Sequence, residues 1–140
     1  MSLTQLIYSS RRSDTLPPEG IFTIRDQACA NNARNDLTGV LLFDRHTFLQ
    51  CLEGDREQVT RTFCTIGEDP RHTHVALVSV RDIEQPSFPD WSMGLVDGNS
   101  PSLRADLGDV LTGDEFSPGN LPAEKATTVM QRMRTLRYSY

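Results

Sequence analysis

The sequence predicts an α+β fold, in which one sheet carries two helices on one face and a C-terminal pair of helices on the other. The apolar pattern changes between the two-residue period of strands and the longer period of helices, in the order β-α-β-β-α-β-β. A length of 140 residues, 37% of them hydrophobic, suits one domain. After residue 93 the chain is rich in glycine and proline. The order of elements matches a ferredoxin-like arrangement.

The first half of the chain predicts a strand, a helix and a hairpin. Residues 3–9 are a β-prone run closed by polar residues, as is typical of a strand. After two consecutive prolines, apolar residues at three- and four-residue spacing predict an amphipathic helix that ends at Asn35. Apolar runs over 38–43 and 48–52, joined by four residues of loop, predict the hairpin.

The next part of the chain predicts a second helix and two more strands. Asp55 and Gln58 have the spacing of a capping box, so a helix is expected from there to about Gly67. Residues 75–80 are strongly β-prone. The segment 91–94 follows two proline turns and predicts a short edge strand.

Two helices cover only one face of a sheet, so the second face needs another layer. Ser100 and Pro101 are a cap and a first-turn proline for one helix, and Pro122 starts another. The apolar positions of these helices are Leu103, Leu107, Val110 and Leu111, then Val129, Met130, Met133 and Leu136. We therefore expect a core over 1–96 and a helical extension over 97–140 that covers the second face.

Composition excludes several classes of protein. The 14 basic and 19 acidic residues give a net charge of −5, which disfavours binding to nucleic acid. No apolar run approaches the ~20 residues of a membrane span, and no secretory leader is recognised, so we expect a cytoplasmic protein without a membrane segment. Three cysteines without a Cys-x-x-Cys pair argue against disulfides or a zinc site.

Polar residues interrupt the expected apolar stripes at three places. Tyr8 lies near the end of the first strand, Asn31 and Asn32 lie on the helix, and Gln50 interrupts an apolar strand. If both stripes face the space between helix and sheet, these groups meet in an apolar interior. Such groups cost ~1–3 kcal/mol each when buried without a hydrogen bond, so they need a partner.

Ordinary structural interpretations exist for all of these residues. A strand tyrosine can keep its hydroxyl in water, the asparagines can sit at a fraying helix end, and Gln50 can point outward. His72 and His74 share a face if they lie on a strand, but no third ligand is near them, so no metal site is expected. The sequence contains no nucleophile–base pattern and no phosphate loop.

Six short stretches carry a more specific signal. They are LIYSS (6–10), NN (31–32), DLTGVLLF (36–43), FLQCLEG (48–54), DPRH (69–72) and FPDWSMG (88–94). In this order over residues 3–96, they closely resemble the BLUF domain, a blue-light sensor that uses FAD. The resemblance implies a flavin-binding photoreceptor core, with FMN or riboflavin as alternatives to FAD.

The resemblance also implies a role for each candidate residue. Tyr8 is the photochemical donor of an electron and a proton, Gln50 links it to flavin N5 and O4, and Asn32 binds the ring's carbonyl edge. The other implied contacts are the polar Asn31, Asp69 and Arg71 and the apolar Ile24, Phe48 and Ile66. Trp91 and Met93 are implied to exchange contact with Gln50, and the sequence leaves open which of them lies near the flavin.

By the same resemblance, light rearranges the hydrogen bonds of Gln50 and no substrate is turned over. The signal then leaves through the last strand and the C-terminal helices, to an unidentified partner protein or within a homodimer. With no fused enzyme expected, the chain is not itself an enzyme. Two alternatives stay open: a small-molecule enzyme with His72, His74 or Asp69 as acid–base groups, and a light-independent oligomerisation module.

Overall fold

A computed structural model describes residues 3–89, 91–98, 100–108 and 121–133 of the chain. Its five strands form one sheet in the order β4-β1-β3-β2-β5. Along the chain they are β1 (Leu3–Arg12), β2 (Thr38–Phe43), β3 (Thr47–Asp55), β4 (His72–Ile83) and β5 (Gly94–Asp97). Neighbouring strands run antiparallel, except that β5 pairs with β2 in parallel. The predicted α+β class and ferredoxin-like order are confirmed.

Two helices, α1 (Gly20–Arg34) and α2 (Arg56–Gly67), pack on one face of the sheet. The Asp55 carboxylate caps α2 as predicted, because it accepts the backbone N–H groups of Glu57 at 3.1 Å and Gln58 at 3.3 Å. α1 begins a little after the two prolines. The N–H of Gly20 donates to the carbonyl of Pro17 at 2.9 Å, so the prolines form a turn that leads into the helix.

Strand alternation divides the core into two clusters. The site-side cluster lies between the sheet and the first two helices. It contains Leu6, Tyr8, Leu41, Phe48, Leu52 and Leu95 from the strands, Ile21 and Ile24 from α1, Val59 from α2, and Met93. Tyr8 and Phe48 are fully buried, so the two helices and the sheet enclose these aromatic rings completely.

The cover-side cluster lies on the opposite face, beneath two more helices, α3 (Pro101–Asp106) and α4 (Ala123–Met133). Its members include Ile7, Val40, Leu42, Leu49 and Cys51 of the sheet, with Leu103, Leu107, Val129, Met130 and Met133 from the extension. The extension therefore covers the second face, as predicted. Val110, Leu111 and Leu136 lie outside the described residues. Within the described part, no helix is long and apolar enough to cross a membrane.

The last strand lies later in the chain than the sequence predicts. An edge strand over 91–94 was expected, but β5 spans Gly94–Asp97 and residues 91–93 precede it. The Trp91 N–H donates to the Phe88 carbonyl at 3.1 Å, which closes a turn, and only then does the chain pair with β2. The predicted position of the edge strand is therefore wrong, and Trp91 and Met93 precede the strand.

Candidate functional site

A phenol–amide pair lies at the centre of the site-side cluster. Tyr8 on β1 is the register partner of Gln50 on β3, and the Tyr8 hydroxyl donates a hydrogen bond to Oε1 of Gln50. Tyr8 is fully buried and Gln50 is 4% exposed. Burial raises the pKa of Tyr8 well above its usual value, and the charge of Asp69 raises it further. The phenol is therefore fully protonated near neutral pH.

A cavity of about 460 Å³ opens between α1 and α2, with Gln50 in its lining. Ile24 and Ala28 of α1 and Ile66 of α2 give it apolar walls. Its polar lining comes from Asn31, Asn32, Gln50, Asp69, Arg71 and His72, with Gln27, Asn35, Gln58, Arg61, Thr62 and Thr65 also in contact with it. A ligand here would meet apolar side chains on its faces and hydrogen-bonding groups at its edges.

Two asparagines at the end of α1 line the cavity. Asn32 is 1% exposed, and its Nδ2 donates to the carbonyl of Ser92 at 2.7 Å. The Oδ1 of Asn31 accepts from Nδ2 of Asn35 at 3.2 Å. Because each amide has two N–H donors and a carbonyl with two lone pairs, these bonds leave capacity for a ligand. The asparagine at 32 also connects the cavity to the segment before β5.

A carboxylate and a guanidinium form a fixed pair at the edge of the cavity. Arg71 donates from Nε at 3.0 Å and 2.9 Å and from Nη2 at 2.5 Å to the carboxylate of Asp69. These bonds lower the pKa of Asp69 and raise the pKa of Arg71. The pair is partly exposed, so it acts mainly to orient both groups toward the cavity.

His72 is a cavity residue that the sequence singled out only as a weak metal or acid–base candidate. Its ring is buried, lies 3.0 Å from the Ser10 hydroxyl through Nδ1, and packs 4.9 Å from the centre of the Phe48 ring. Burial lowers the pKa of His72, the charge of Asp69 opposes this, and that of Arg71 adds to it. His74 is exposed at a positive φ of 53°, so the two histidines do not form one site.

Met93 and Trp91 lie on opposite sides of the sheet. The Nε2 of Gln50 contacts the Met93 sulfur at 3.5 Å, and Met93 is 4% exposed in the site-side cluster. The Trp91 ring stacks on Phe88 with centroids 5.5 Å apart and packs against the cover-side cluster. Met93, and not Trp91, is therefore the residue beside Gln50 in this structure.

Most of the implied binding residues meet around one cavity. Ile24, Asn31, Asn32, Gln50, Ile66, Asp69 and Arg71 all line it. Tyr8 and Phe48 lie behind this lining, Tyr8 through its bond to Gln50 and Phe48 against His72. Gln58, Thr62 and Thr65 of α2 also line the cavity and were not predicted from the sequence. They are spaced by four and then three residues, which places them on one face of the helix next to Ile66, and this spacing is the signal that could have identified them.

A flavin ring system fits this arrangement. The volume lies within the range of about 300–1,000 Å³ that is usual for small-molecule sites. The carbonyl and N–H edge of an isoalloxazine can satisfy the amides of Asn31, Asn32 and Gln50, while the aliphatic walls hold its flat faces. Without such a ligand, the buried amides of Asn32 and Gln50 would have only part of their hydrogen-bonding capacity used.

Comparisons with known proteins agree with this fit. The family model "BLUF: Sensors of blue-light using FAD" matches residues 3–94. "Photoactivated adenylate cyclase subunit beta" of Euglena longa is 31% identical over 93 residues, which are 66% of this chain and 11% of that protein. "Blue light- and temperature-regulated antirepressor BluF" of Escherichia coli (strain K12) is 41% identical over 73 residues, 52% of this chain and 18% of that protein. The solved structure "BlsA photo-activated state" aligns with a TM-score of 0.88 at 25% identity and covers 99% of both chains.

The match thus spans only 11% and 18% of the length of these two curated relatives. The activities in their names belong to those longer proteins. The family match covers the sheet up to the start of β5 and both helices that enclose the cavity. Together with the geometry, it makes the protein a flavin-binding sensor of blue light. The chain belongs to the BLUF family, the sensors of blue light using FAD.

Proposed function

We propose that light acts on this protein by drawing an electron and a proton from Tyr8 and so rearranging the hydrogen bonds of Gln50. The observation that carries the proposal is the direct bond from the Tyr8 hydroxyl to Oε1 of Gln50, both of which are buried. The bound flavin supplies light absorption and, once excited, a strong electron acceptor. Every other part of the response belongs to side chains of this chain.

Tyr8 is suited to give up an electron and a proton together. Its raised pKa keeps the proton on the hydroxyl in the dark, because burial opposes a phenolate. Loss of an electron makes a phenol strongly acidic, so the proton then moves along the existing bond to Gln50. The amide of Gln50 can accept this proton at Oε1 and donate one of its own from Nε2, which lets it serve as the relay. The electron and a proton then return to Tyr8, so the cycle leaves no net oxidation.

We infer that the orientation of Gln50 in this structure is that of the dark state, held by one strong contact and one weak contact. Its Oε1 accepts a hydrogen bond from Tyr8. Among the described residues, the polar contact of its Nε2 is with the Met93 sulfur at 3.5 Å. A thioether is a weak acceptor, so this second contact costs little to break. We infer that transient oxidation of Tyr8 releases the amide, which then rotates or tautomerises away from Met93.

A change at Gln50 reaches both faces of the sheet through residues 91–93. Asn32 holds the Ser92 carbonyl, and the Gly39 N–H holds the Trp91 carbonyl at 3.0 Å. Trp91 packs against the cover-side cluster, to which α3 and α4 contribute. The segment between Met93 and Trp91 therefore offers a short route from the cavity to the C-terminal helices. The division into a sensing core (1–96) and a helical extension (97–140) is part of this proposal.

We further propose that the protein turns over no substrate and that its output is a contact with a partner protein, or with a second copy of itself. Two of the candidate acid–base groups have structural partners, since Asp69 is hydrogen-bonded to Arg71 and His72 to Ser10. The names of two relatives, an adenylate cyclase subunit and an antirepressor, describe outputs of those proteins. We place this chain in the cytoplasm, where its three free cysteines stay reduced.

The test compares dark and blue-light states of the purified, flavin-loaded protein. We expect the flavin absorption to shift slightly and reversibly to the red under blue light. A pull-down in the dark and in the light then searches for the partner, with Tyr8→Phe as the matched control that binds flavin without cycling. A flavin spectrum that light leaves unchanged would contradict the proposed photochemistry. Partners bound equally in both states, and equally by the variant, would contradict the proposed output.

A further inference from the structure

A second cavity, of about 550 Å³, lies at the end of β1 beside the β2–β3 loop. We call it the β1-end cavity. Arg11 and Arg12 line it from the strand end, and Arg45 and His46 line it from the loop. Leu16 and Pro18 give it an apolar wall. Three guanidinium groups therefore converge on one concave surface of a chain whose net charge is −5.

These positive charges are not neutralised within the described part of the chain. None of the ion pairs among the described residues includes Arg11, Arg12 or Arg45. Asp14 also lines the cavity. The nearby Asp44 carboxylate caps its own loop, where its Oδ1 accepts from the backbone N–H groups of residues 46 and 47 at 2.8 Å and 2.7 Å. The cavity thus keeps a positive excess.

Arg12 shows why an anion would be favourable here. Its guanidinium lies 5.7 Å from the centre of the Phe48 ring and donates to two backbone carbonyls, those of Asp44 at 3.5 Å and Pro17 at 3.3 Å. These bonds use two of its five N–H donors. Partial burial lowers the pKa of Arg12, an effect that the charge of Asp44 opposes. A partly desolvated cation with free donors gains from a bound anion.

Phosphate is the anion that this arrangement suits best. Planar guanidinium groups match phosphate oxygens in paired hydrogen bonds. A cavity of about 550 Å³ is larger than a single phosphate needs, and its apolar wall suits an organic group. We propose that the β1-end cavity is a binding site for the diphosphate of a nucleotide, with ADP as the representative ligand.

The diphosphate can come from two sources, since ADP is one half of FAD. The two cavities are neighbours, because the N–H of Ser13 in the β1-end cavity donates to the carbonyl of Arg71 in the flavin cavity at 3.0 Å. One source is the ADP half of FAD bound in the flavin cavity. The other is a free nucleotide that binds beside a flavin already in place. The recognition chemistry is the same for both.

The experiment titrates ADP in the dark into full-length protein loaded with riboflavin and, separately, with FAD. Calorimetry gives Kd for the wild type and for Arg45→Gln and Arg11→Gln, both exposed positions. The control is Arg34→Gln, which removes one charge at the end of α1 from a residue outside both cavities. We expect either test variant to raise Kd at least about fivefold and the control to leave it unchanged. Adenosine, which lacks the phosphates, should not bind.

The two loaded forms distinguish the sources. ADP bound by both forms supports a free-nucleotide site, and ADP bound only by the riboflavin form supports occupation by the ADP half of FAD. Binding to neither form, or a Kd that the Arg45 and Arg11 variants leave unchanged, overturns the proposal. Because the titration is made in the dark and requires no photochemistry, its result is independent of the proposed role of Tyr8.

Discussion

Tyr8 and Gln50 lie directly opposite each other on β1 and β3, and the phenol of one donates a hydrogen bond to the amide of the other. Pairing in the sheet fixes both backbones, so the two residues stay opposite each other whatever their side chains do. The amide end of Gln50 is the mobile part, because its second contact is the Met93 sulfur. The Tyr8 hydroxyl, a donor fixed by packing, is thus bonded to the amide of Gln50, which can rotate.

Tyr8→Phe should retain the flavin and lose the reversible red shift. The substitution keeps the aromatic packing against Phe63, 5.4 Å away between ring centres, and removes only the hydroxyl. Gln50 then loses its donor at a cost of about 1–3 kcal/mol in unfolding free energy. Absorption spectra under blue light and urea unfolding measure both effects. A normal photocycle in this variant would show that another residue supplies the electron.

Gln50→Leu should likewise hold the chromophore and lose the light-induced shift. Leucine fills similar space but can neither accept from Tyr8 nor donate to a ligand. Gln58→Leu is the matched control, since Gln58 lines the same cavity from α2 without contacting Tyr8. Light-minus-dark absorption spectra should show the red shift in the Gln58 variant and not in the Gln50 variant. Loss of the shift in the Gln58 variant as well would point to a general polar requirement rather than to the relay.

Met93→Leu should keep the red shift and slow the thermal return to the dark state. It preserves the packed volume but removes the sulfur that contacts Nε2 of Gln50 at 3.5 Å, a contact that we propose belongs to the dark state. A weak bond of about 0.5–1 kcal/mol corresponds to a change in rate of about two- to fivefold. The recovery of absorption after a light pulse gives the rate. Trp91→Phe serves as the control and should recover as the wild type does, because Trp91 packs on the other face.

His72 should make the stability of the protein fall as the pH drops below about 6.5. Burial lowers the folded-state pKa of His72 from an ordinary value of 6.5, so the unfolded chain binds the proton first. The pKa of Asp69 is lowered by Arg71, so its contribution is lost only at more acid pH. Urea midpoints between pH 7.5 and pH 5.5 measure the slope. His72→Gln should flatten it and His74→Gln, at an exposed position, should not; equal slopes in all three proteins would refute this assignment.

Met130→Ala should destabilise the whole fold, although Met130 lies on the opposite face of the sheet from the flavin cavity. Met130 is 1% exposed and packs in the cover-side cluster against the second face of the sheet. Truncation of a buried side chain of this size costs about 2–5 kcal/mol in unfolding free energy. Gln131→Ala, next to it but exposed, should change stability by less than about 0.5 kcal/mol. If urea unfolding found both variants equally stable, the helices would not be an integral cover.

Strand alternation predicted part of the centre of the site. Gln50 shares a strand face with Phe48 and Leu52, so its amide was expected to face the helices if that face is the buried one, and the structure shows that it is. Asn32 follows the same argument along α1. Which oxygen or nitrogen each amide uses depends on residues far away in the chain, such as Ser92 for Asn32, and no local pattern contains that information.

The segment before β5 shows where local reasoning fails. The pattern Trp91-Ser92-Met93-Gly94 predicts a strand, yet residues 91–93 form the end of a turn and an irregular segment, and the strand begins only at Gly94. Its backbone carbonyls are taken by Gly39 and Asn32, which come from elements more than 50 residues earlier. Satisfaction of those buried polar groups outweighs the local preference for an extended chain.

By itself, the sequence determined the order of strands and helices along the chain, the positions of Tyr8 and Gln50 on their strands, and the need for a second helical layer. The first two features follow from periodicity and capping, which act over a few residues. The third follows because a sheet has two faces and the first two helices cover only one. Only the tertiary structure decided that Met93 faces Gln50 while Trp91 faces the cover helices, and that Arg11, Arg12 and Arg45 meet in one cavity. The physical reason is that such contacts join side chains from distant strands and loops, and their geometry is set when the whole sheet pairs.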